Sequence, residues 1–154
     1  MWILVVFIFF IILDVITFLV PKRLSRIELY TTSLFALVFG INVDMVLNFK
    51  YNLYGYFGKG FQWLGFVGEF LYYIPVSVLF LNYYPIKGTN QNKFLYILAW
   101  SLVSVIIEYL IEKTHFFNYT GWRLWYSACL YPFIFLILVS HLRVVKKLLR
   151  DRYT

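Results

Sequence analysis

The chain alternates between long apolar runs and short stretches that carry most of its charged, polar and turn-forming residues. Each run approaches the roughly 20 residues that an α-helix needs to cross the hydrocarbon core of a bilayer. The pattern therefore predicts five transmembrane helices, at residues 2–20, 27–47, 61–84, 94–111 and 122–142. Pro75 and Pro132 fall inside the third and fifth runs, where a proline is expected to kink the helix.

Composition argues against a soluble fold. Of the 154 residues, 62% are hydrophobic and only 14% are charged, whereas a soluble domain carries about 25% charged residues. So few polar side chains cannot cover a water-exposed surface, and the apolar side chains must face lipid. The predicted fold is an all-α polytopic membrane helical bundle, a single transmembrane domain over residues 1–154, because the connecting loops leave no room for a second domain.

The distribution of cations predicts an orientation. The first run has no Lys or Arg before it and is followed by Pro21-Lys22-Arg23, which indicates an uncleaved anchor rather than a signal peptide. The segments after the first, third and fifth spans hold 10 Lys and Arg residues, and the other two loops hold 4. The positive-inside rule then predicts a membrane protein with its N-terminus outside and its C-terminus in the cytoplasm.

Several carboxylates fall within the predicted spans, and they are the main candidates for function. At a helical rise of 1.5 Å per residue, Asp44, Glu69 and Glu108 lie about 6, 12 and 8 Å from the outer boundary. Asp14 belongs to the inner half of the first span. A charged side chain inside a membrane is expensive and usually faces the bundle interior. We therefore expect the three outer carboxylates to share one interior space.

Helical phase supports that grouping. At about 100° per residue, polar and small residues share one face on each of four helices, and these faces should point at one another. The predicted stripes are Ser33, Gly40, Asp44 and Asn48; Gln62, Gly65, Glu69 and Tyr73; Ser101, Ser104, Glu108 and Glu112; and Arg123, Ser127, Tyr131 and His141. The functional interpretation is a ligand- or ion-binding chamber open to the outer side, with Glu112, His115 and Arg123 at its mouth. The alternative is that these groups only hold the helices together.

The C-terminal tail, residues 143–154, is basic and amphipathic. Arg143, Lys146, Lys147 and Arg150 recur at helical spacing, with leucine and valine on the other side. This pattern predicts a helix that continues out of the membrane and rests on an anionic inner leaflet. Membrane lipids are the expected partner, and other membrane proteins or a second copy of the chain remain open.

Motifs for specific chemistry are absent from the sequence. It contains no H-E-x-x-H, no G-x-S-x-G and no P-loop. The single cysteine, Cys129, cannot form an internal disulfide or build a cysteine metal site. The excess of cations flanks apolar runs, where it serves topology and lipid contact. We expect no cofactor, no metal and no nucleic-acid partner.

A distinctive segment, Phe116-Phe117-Asn118-Tyr119-Thr120-Gly121-Trp122, continues into Trp125-Tyr126-Ser127 and Tyr131-Pro132. Together with Pro21-Lys22, Glu28-Leu29-Tyr30 and Leu81-Asn82-Tyr83-Tyr84-Pro85, it resembles a group of small multispanning membrane proteins of endospore-forming Bacillota. The resemblance implies a multi-pass protein of the bacterial inner membrane and carries no mechanism. From the residues, a binding or transport-related component is the leading interpretation. An intramembrane enzyme using Asp44, Glu69 and Glu108, or a structural subunit of a membrane complex, are the alternatives.

Overall fold

A computed structural model describes residues 2–57 and 62–151 of the chain. Within these ranges it contains an all-α bundle of five long helices, as the sequence predicts, and a two-stranded antiparallel sheet. The helices are α1 (Trp2–Leu19), α2 (Arg26–Met45), α3 (Trp63–Tyr83), α4 (Asn90–Glu112) and α5 (Leu124–Asp151), and the strands are β1 (Tyr54–Tyr56) and β2 (Phe117–Tyr119). A single π-helical turn, Val46–Lys50, extends α2.

All five helices are long and apolar enough to cross a membrane. Large apolar side chains are exposed along each of them, including Leu4, Val38, Val67, Leu102 and Phe133. Such surfaces are stable against lipid and not against water. Pro75 and Pro132 lie inside continuous helices. Phe61, Lys59 and residues 152–154, which belong to the predicted third span, outer loop and tail, lie outside the described residues.

The helix bounds follow local capping chemistry. The side chain of Thr89 accepts a hydrogen bond from the backbone N–H of Asn92 at 3.2 Å, so α4 begins at Asn90. Residues 90–93, predicted as loop, are therefore helical. Ser25 and Glu28 form a capping box that starts α2. At the other end of the chain, α5 continues without a break through the predicted span and into the tail.

Contacts between chain segments define the two ends of the bundle. The sheet end carries β1 and β2, which pair in the register Tyr54 with Tyr119 and Tyr56 with Phe117. The basic end carries the loop between α1 and α2, the loop between α3 and α4, and the last turns of α5. There the side chain of Asn82 accepts a hydrogen bond from the Arg23 N–H at 2.6 Å and donates one to the Pro21 carbonyl at 3.0 Å. Successive connections between the helices thus lie at opposite ends of the bundle, as expected for five antiparallel spans.

The basic end is held by an ion pair. The Lys146 ammonium lies 2.6 Å from the Glu28 carboxylate, which is buried and also accepts the Ser25 N–H at 2.8 Å. Lys146 therefore points at the bundle, and its prediction as a lipid-surface residue needs correction. It lies on the edge of the basic stripe nearest to α2, where a buried acid attracts it. Arg143, Lys147 and Arg150 are exposed, and their role at lipid stays a prediction.

Candidate functional site: an acidic chamber beneath the sheet

A cavity of about 190 Å³ lies inside the bundle toward the sheet end. Asp44 from α2, Glu69 from α3 and Glu108 from α4 all line it, so the predicted common interior space is confirmed as a matter of geometry. We call this cavity the chamber. Its wall is otherwise mostly aromatic and aliphatic, and it includes Tyr72, Phe135 and Leu138. Whether the three carboxylates bind a ligand stays a prediction.

The Asp44 carboxylate is surrounded by phenol groups. Tyr54 donates a hydrogen bond to Oδ1, and Tyr56 and Tyr73 donate to Oδ2, the bond from Tyr56 being 2.9 Å long. Two of these donors come from β1 and the third from α3. Asp44 itself is only 9% exposed. A buried carboxylate with this set of donors ties the strand to two helices.

The Glu108 carboxylate has a similar arrangement with different elements. Tyr119 of β2 and Ser127 of α5 donate to Oε1 at 2.5 and 2.6 Å, and Tyr131 of α5 donates to Oε2 at 2.6 Å. The Trp122 indole N–H in turn donates to the Ser127 hydroxyl at 2.8 Å. Glu108 thus connects α4 to α5 and to the second strand.

Glu69 differs from the other two carboxylates. It is 9% exposed and lines the chamber. Its side-chain hydrogen-bond partners are Tyr56 and Asp44. It shares the Tyr56 hydroxyl with Asp44, to which that hydroxyl donates at 2.9 Å. Glu69 is therefore the chamber acid with the fewest hydroxyl donors.

The two strands form a cap over the chamber. Side chains alternate across a strand, so Tyr54 and Tyr56 point to the same side of β1, and both reach Asp44. The Leu53 carbonyl accepts the N–H groups of Thr120, Gly121 and Trp122, each at 2.9 Å, which fixes β1 beside the chain leaving β2. Burial, and next the neighbouring carboxylates, raise the pKa of Tyr54, Tyr56 and Tyr119 well above 10. These hydroxyls consequently remain protonated donors.

Glycines allow aromatic rings to reach the chamber. A Cβ on Gly40 would lie 2.7 Å from the ring of Tyr73, and one on Gly65 would lie 2.6 Å from Cβ of Tyr56. A Cβ on Gly68 would lie 2.5 Å from the ring of Phe116, which begins the approach to β2. Small residues on α2 and α3 therefore determine how closely the cap and the helices approach.

A second, smaller cavity adjoins the first. It measures about 30 Å³ and has Asn48, Gln62 and Phe66 on its wall. Asp44, Tyr56 and Glu69 line both cavities, so these three side chains form the partition between them. Asn48 and Gln62 line the smaller cavity and do not line the chamber.

The predicted mouth of the chamber needs correction. Glu112, His115 and Arg123 lie at the sheet end but do not line the chamber. Glu112 pairs with Lys113 at 3.1 Å, and His115 is an exposed turn residue with a φ of 59° whose Nδ1 lies 3.3 Å from the side-chain oxygen of Asn118. Arg123 is exposed just before α5. Side chains of the two strands, Tyr54, Tyr56, Phe117 and Tyr119, line the chamber at this end instead.

Sequence reasoning missed the cap. Residues 54–56 and 117–119 are each predicted as loop, yet they pair with one another across more than 60 residues. The only signal is the spacing of tyrosines at positions 54 and 56 and of aromatic residues at 117 and 119. The helical donors Tyr73, Ser127 and Tyr131, in contrast, lie on the predicted polar stripes and do reach the carboxylates.

The chamber acids are spread around the cavity. Across residues 2–57 and 62–151, no three His, Cys, Asp or Glu side chains converge closely enough to hold a metal ion. Asp44 and Glu69 are neighbours on one part of the wall, whereas Glu108 sits among the hydroxyl groups of Tyr119, Ser127 and Tyr131. The arrangement can accept hydrogen bonds and a positive charge from a guest molecule, and it can attract a cation to the faces of its aromatic rings.

No family model matches the chain, and comparisons with curated proteins and with solved structures also give no match. The class of protein is therefore defined by the fold itself. Five apolar helices of membrane-spanning length, with lipid-compatible surfaces and a polar interior, define a multi-pass α-helical membrane protein.

Proposed function

We propose that this protein is a binding or transport-related component of the bacterial inner membrane, and that the chamber receives a small ligand. The observation that carries the proposal is the convergence of Asp44, Glu69 and Glu108, from three helices, on one cavity. Ligand sites are typically concave, mostly apolar and furnished with a few converging polar groups. Helices held together by polar contacts alone would not require such a space.

The two rival functions find less support. An intramembrane enzyme using the three carboxylates would need at least two of them available for proton transfer. Hydroxyl donors already engage both oxygens of Asp44 and both oxygens of Glu108. A purely structural subunit does not call for a cavity lined by three carboxylates.

Access to the chamber tests this proposal. Ser104 lines the chamber and Ser101 does not, although both are buried on α4 and lie one turn apart. In a Cys129→Ser background, Ser104→Cys should react with a small water-soluble thiol reagent, and the matched Ser101→Cys variant should react at least tenfold more slowly. Equal, negligible reaction of both variants would contradict a ligand-accessible chamber.

The proposed orientation has the N-terminus outside and the C-terminus in the cytoplasm, so the sheet end faces outward. The positive-inside rule supports it, since Lys22, Arg23 and Lys87 join the tail cations at the basic end. Cysteine labelling in intact cells tests it in the same background. A membrane-impermeant reagent should label Asn118→Cys and not Thr89→Cys, and the reverse pattern would refute the orientation.

A further inference from the structure

We infer that the chamber binds a small organic cation, with its ammonium group at Glu69 and its apolar body against the surrounding aromatic rings. This inference rests on the proposed binding function and names the class of ligand. Three features of the chamber carry it: its charge, its wall and its size.

The charge of the chamber is unbalanced. Three carboxylates line it, and among the described residues that line it there is no Lys, Arg or His. A charged group taken out of water needs a partner of opposite charge or a full set of hydrogen bonds. Asp44 and Glu108 have three hydroxyl donors each, whereas Glu69 has only the Tyr56 hydroxyl, which it shares with Asp44. Glu69 is the position at which a positively charged guest gains most.

The wall selects the kind of cation. Hard ions such as Mg²⁺ and Ca²⁺ require about six or more oxygen ligands arranged around one point. The chamber acids do not converge in that way, and tyrosine hydroxyls already occupy Asp44. Aromatic side chains such as those of Tyr72, Tyr73 and Phe135 line the remaining surface together with aliphatic ones. Aromatic faces attract organic ammonium groups, and the rest of the wall suits an apolar body.

The size of the chamber limits the ligand. An engineered protein cavity of about 150 Å³ accepts benzene, and the chamber measures about 190 Å³. A molecule of one ring with a short ammonium substituent is therefore of suitable volume. Glu69 also separates the chamber from the smaller cavity. An ammonium group held at Glu69 would therefore lie between the wall of the chamber and the polar side chains of Asn48 and Gln62.

Three probes of similar shape and different charge test the inference: benzylammonium, benzyl alcohol and benzoate. Purified full-length protein in lipid nanodiscs is titrated with each, and binding is followed by tryptophan fluorescence, since Trp122 lines the chamber. Benzylammonium should bind at least tenfold more tightly than benzyl alcohol, and benzoate should not bind. Glu69→Gln should weaken benzylammonium about ten- to a hundredfold, the loss expected for one hydrogen bond to a charged group.

Asp14→Asn is the matched control, because Asp14 is another membrane carboxylate and lies outside the chamber wall; it should leave benzylammonium affinity unchanged. Equal binding of benzylammonium and benzyl alcohol, or an unchanged affinity in Glu69→Gln, would overturn the inference and leave a ligand-binding chamber standing. Tighter binding of Mg²⁺ or Ca²⁺ than of benzylammonium would overturn it as well. Failure of all three probes to bind, together with unreactive Ser104→Cys, would overturn the proposed function too.

Discussion

The two ends of the bundle both bury carboxylates, and they compensate them in different ways. At the basic end Glu28 receives a full positive charge from Lys146 and a backbone N–H from Ser25. At the sheet end Asp44 and Glu108 receive only neutral hydroxyl groups, and Glu69 shares the Tyr56 hydroxyl with Asp44. One end pairs its acid with a cation of the chain, while the other places its acids around a cavity without a cation of the chain on its described wall.

This difference distinguishes cohesion from recognition. A buried pair of opposite charges leaves nothing for a ligand to compensate, so the basic end is best understood as a connection between α2 and α5. Hydroxyl donors hold a carboxylate in place without cancelling its charge. The sheet end therefore remains able to attract a cation, although it also fastens β1 and β2 to the helices.

The largest effect on stability is expected from Asp44→Ala. The change leaves the hydroxyls of Tyr54, Tyr56 and Tyr73 without their acceptor. A hydrogen bond to a charged group contributes about 1.5–3 kcal/mol, and three such bonds are not strictly additive. We expect the free energy of unfolding, measured by detergent titration, to fall by at least about 3 kcal/mol. Asp44→Asn should lose less, because the amide oxygen still accepts.

The control for that measurement is Asp14→Ala. Asp14 also lies in a span but accepts no hydrogen bond from the residues the structure describes, so its removal should not lower the free energy of unfolding. A loss below about 1 kcal/mol for Asp44→Ala would mean that the three phenols find other acceptors and that the cap does not depend on Asp44.

The next largest effect is expected from Lys146→Met. It leaves the Glu28 carboxylate buried with only its capping contacts. Lys146 is about one third exposed, so the loss should be about 1–3 kcal/mol, between the values for surface pairs and for fully buried pairs. Exposed Lys147→Met, one residue along, should change the free energy of unfolding by less than about 0.5 kcal/mol.

A double variant sharpens this test. Glu28→Gln together with Lys146→Met removes both charges, and it should recover most of the stability that the single Lys146→Met change loses. If the double variant is less stable than Lys146→Met by the full loss that Glu28→Gln causes alone, the two residues act independently. The proposed connection between α2 and α5 then fails.

The ends also differ in how far the sequence predicts them. Apolar runs and helical phase are local properties, so the five spans and the common space of Asp44, Glu69 and Glu108 can be read from them. The cap depends on pairing Tyr54 with Tyr119, 65 residues apart, and short aromatic segments carry almost no period to indicate it. Lys146 shows the same limit of local patterns. Periodicity predicts that it belongs to the basic stripe of α5, but the direction of its ammonium group depends on the position of Glu28, which is distant in sequence.

A smaller effect is expected from Gly40→Ala. The new methyl group would lie 2.7 Å from the ring of Tyr73, which must move and thereby weaken its bond to Asp44. Overpacking costs about 1–3 kcal/mol and outweighs the gain of up to about 1 kcal/mol in helix propensity. The net loss in unfolding free energy should be about 1 kcal/mol. Gly121→Ala should be nearly neutral, since its methyl group meets only the end of the Leu53 side chain at 3.3 Å.

The smallest effect on stability is expected at the exposed cations of the basic end. Arg143, Lys147 and Arg150 are exposed around the last turns of α5, and Leu148, beside them, is 65% exposed. Replacing the three cations by Gln should change the free energy of unfolding by less than about 0.5 kcal/mol. It should instead weaken contact with anionic lipid, where each cation contributes on the order of 1 kcal/mol.

A probe on Leu148→Cys, in the Cys129→Ser background, measures that contact in nanodiscs as quenching by labelled headgroups. With the three cations present, quenching should be stronger in anionic than in neutral lipid, and the triple variant should lose the difference. The control Lys113→Gln, at the opposite end of the bundle, should leave this difference in quenching unchanged. Equal quenching of the unmodified tail in both lipids would mean that its charge serves topology alone, and the basic end would then be a connection between helices without a lipid partner.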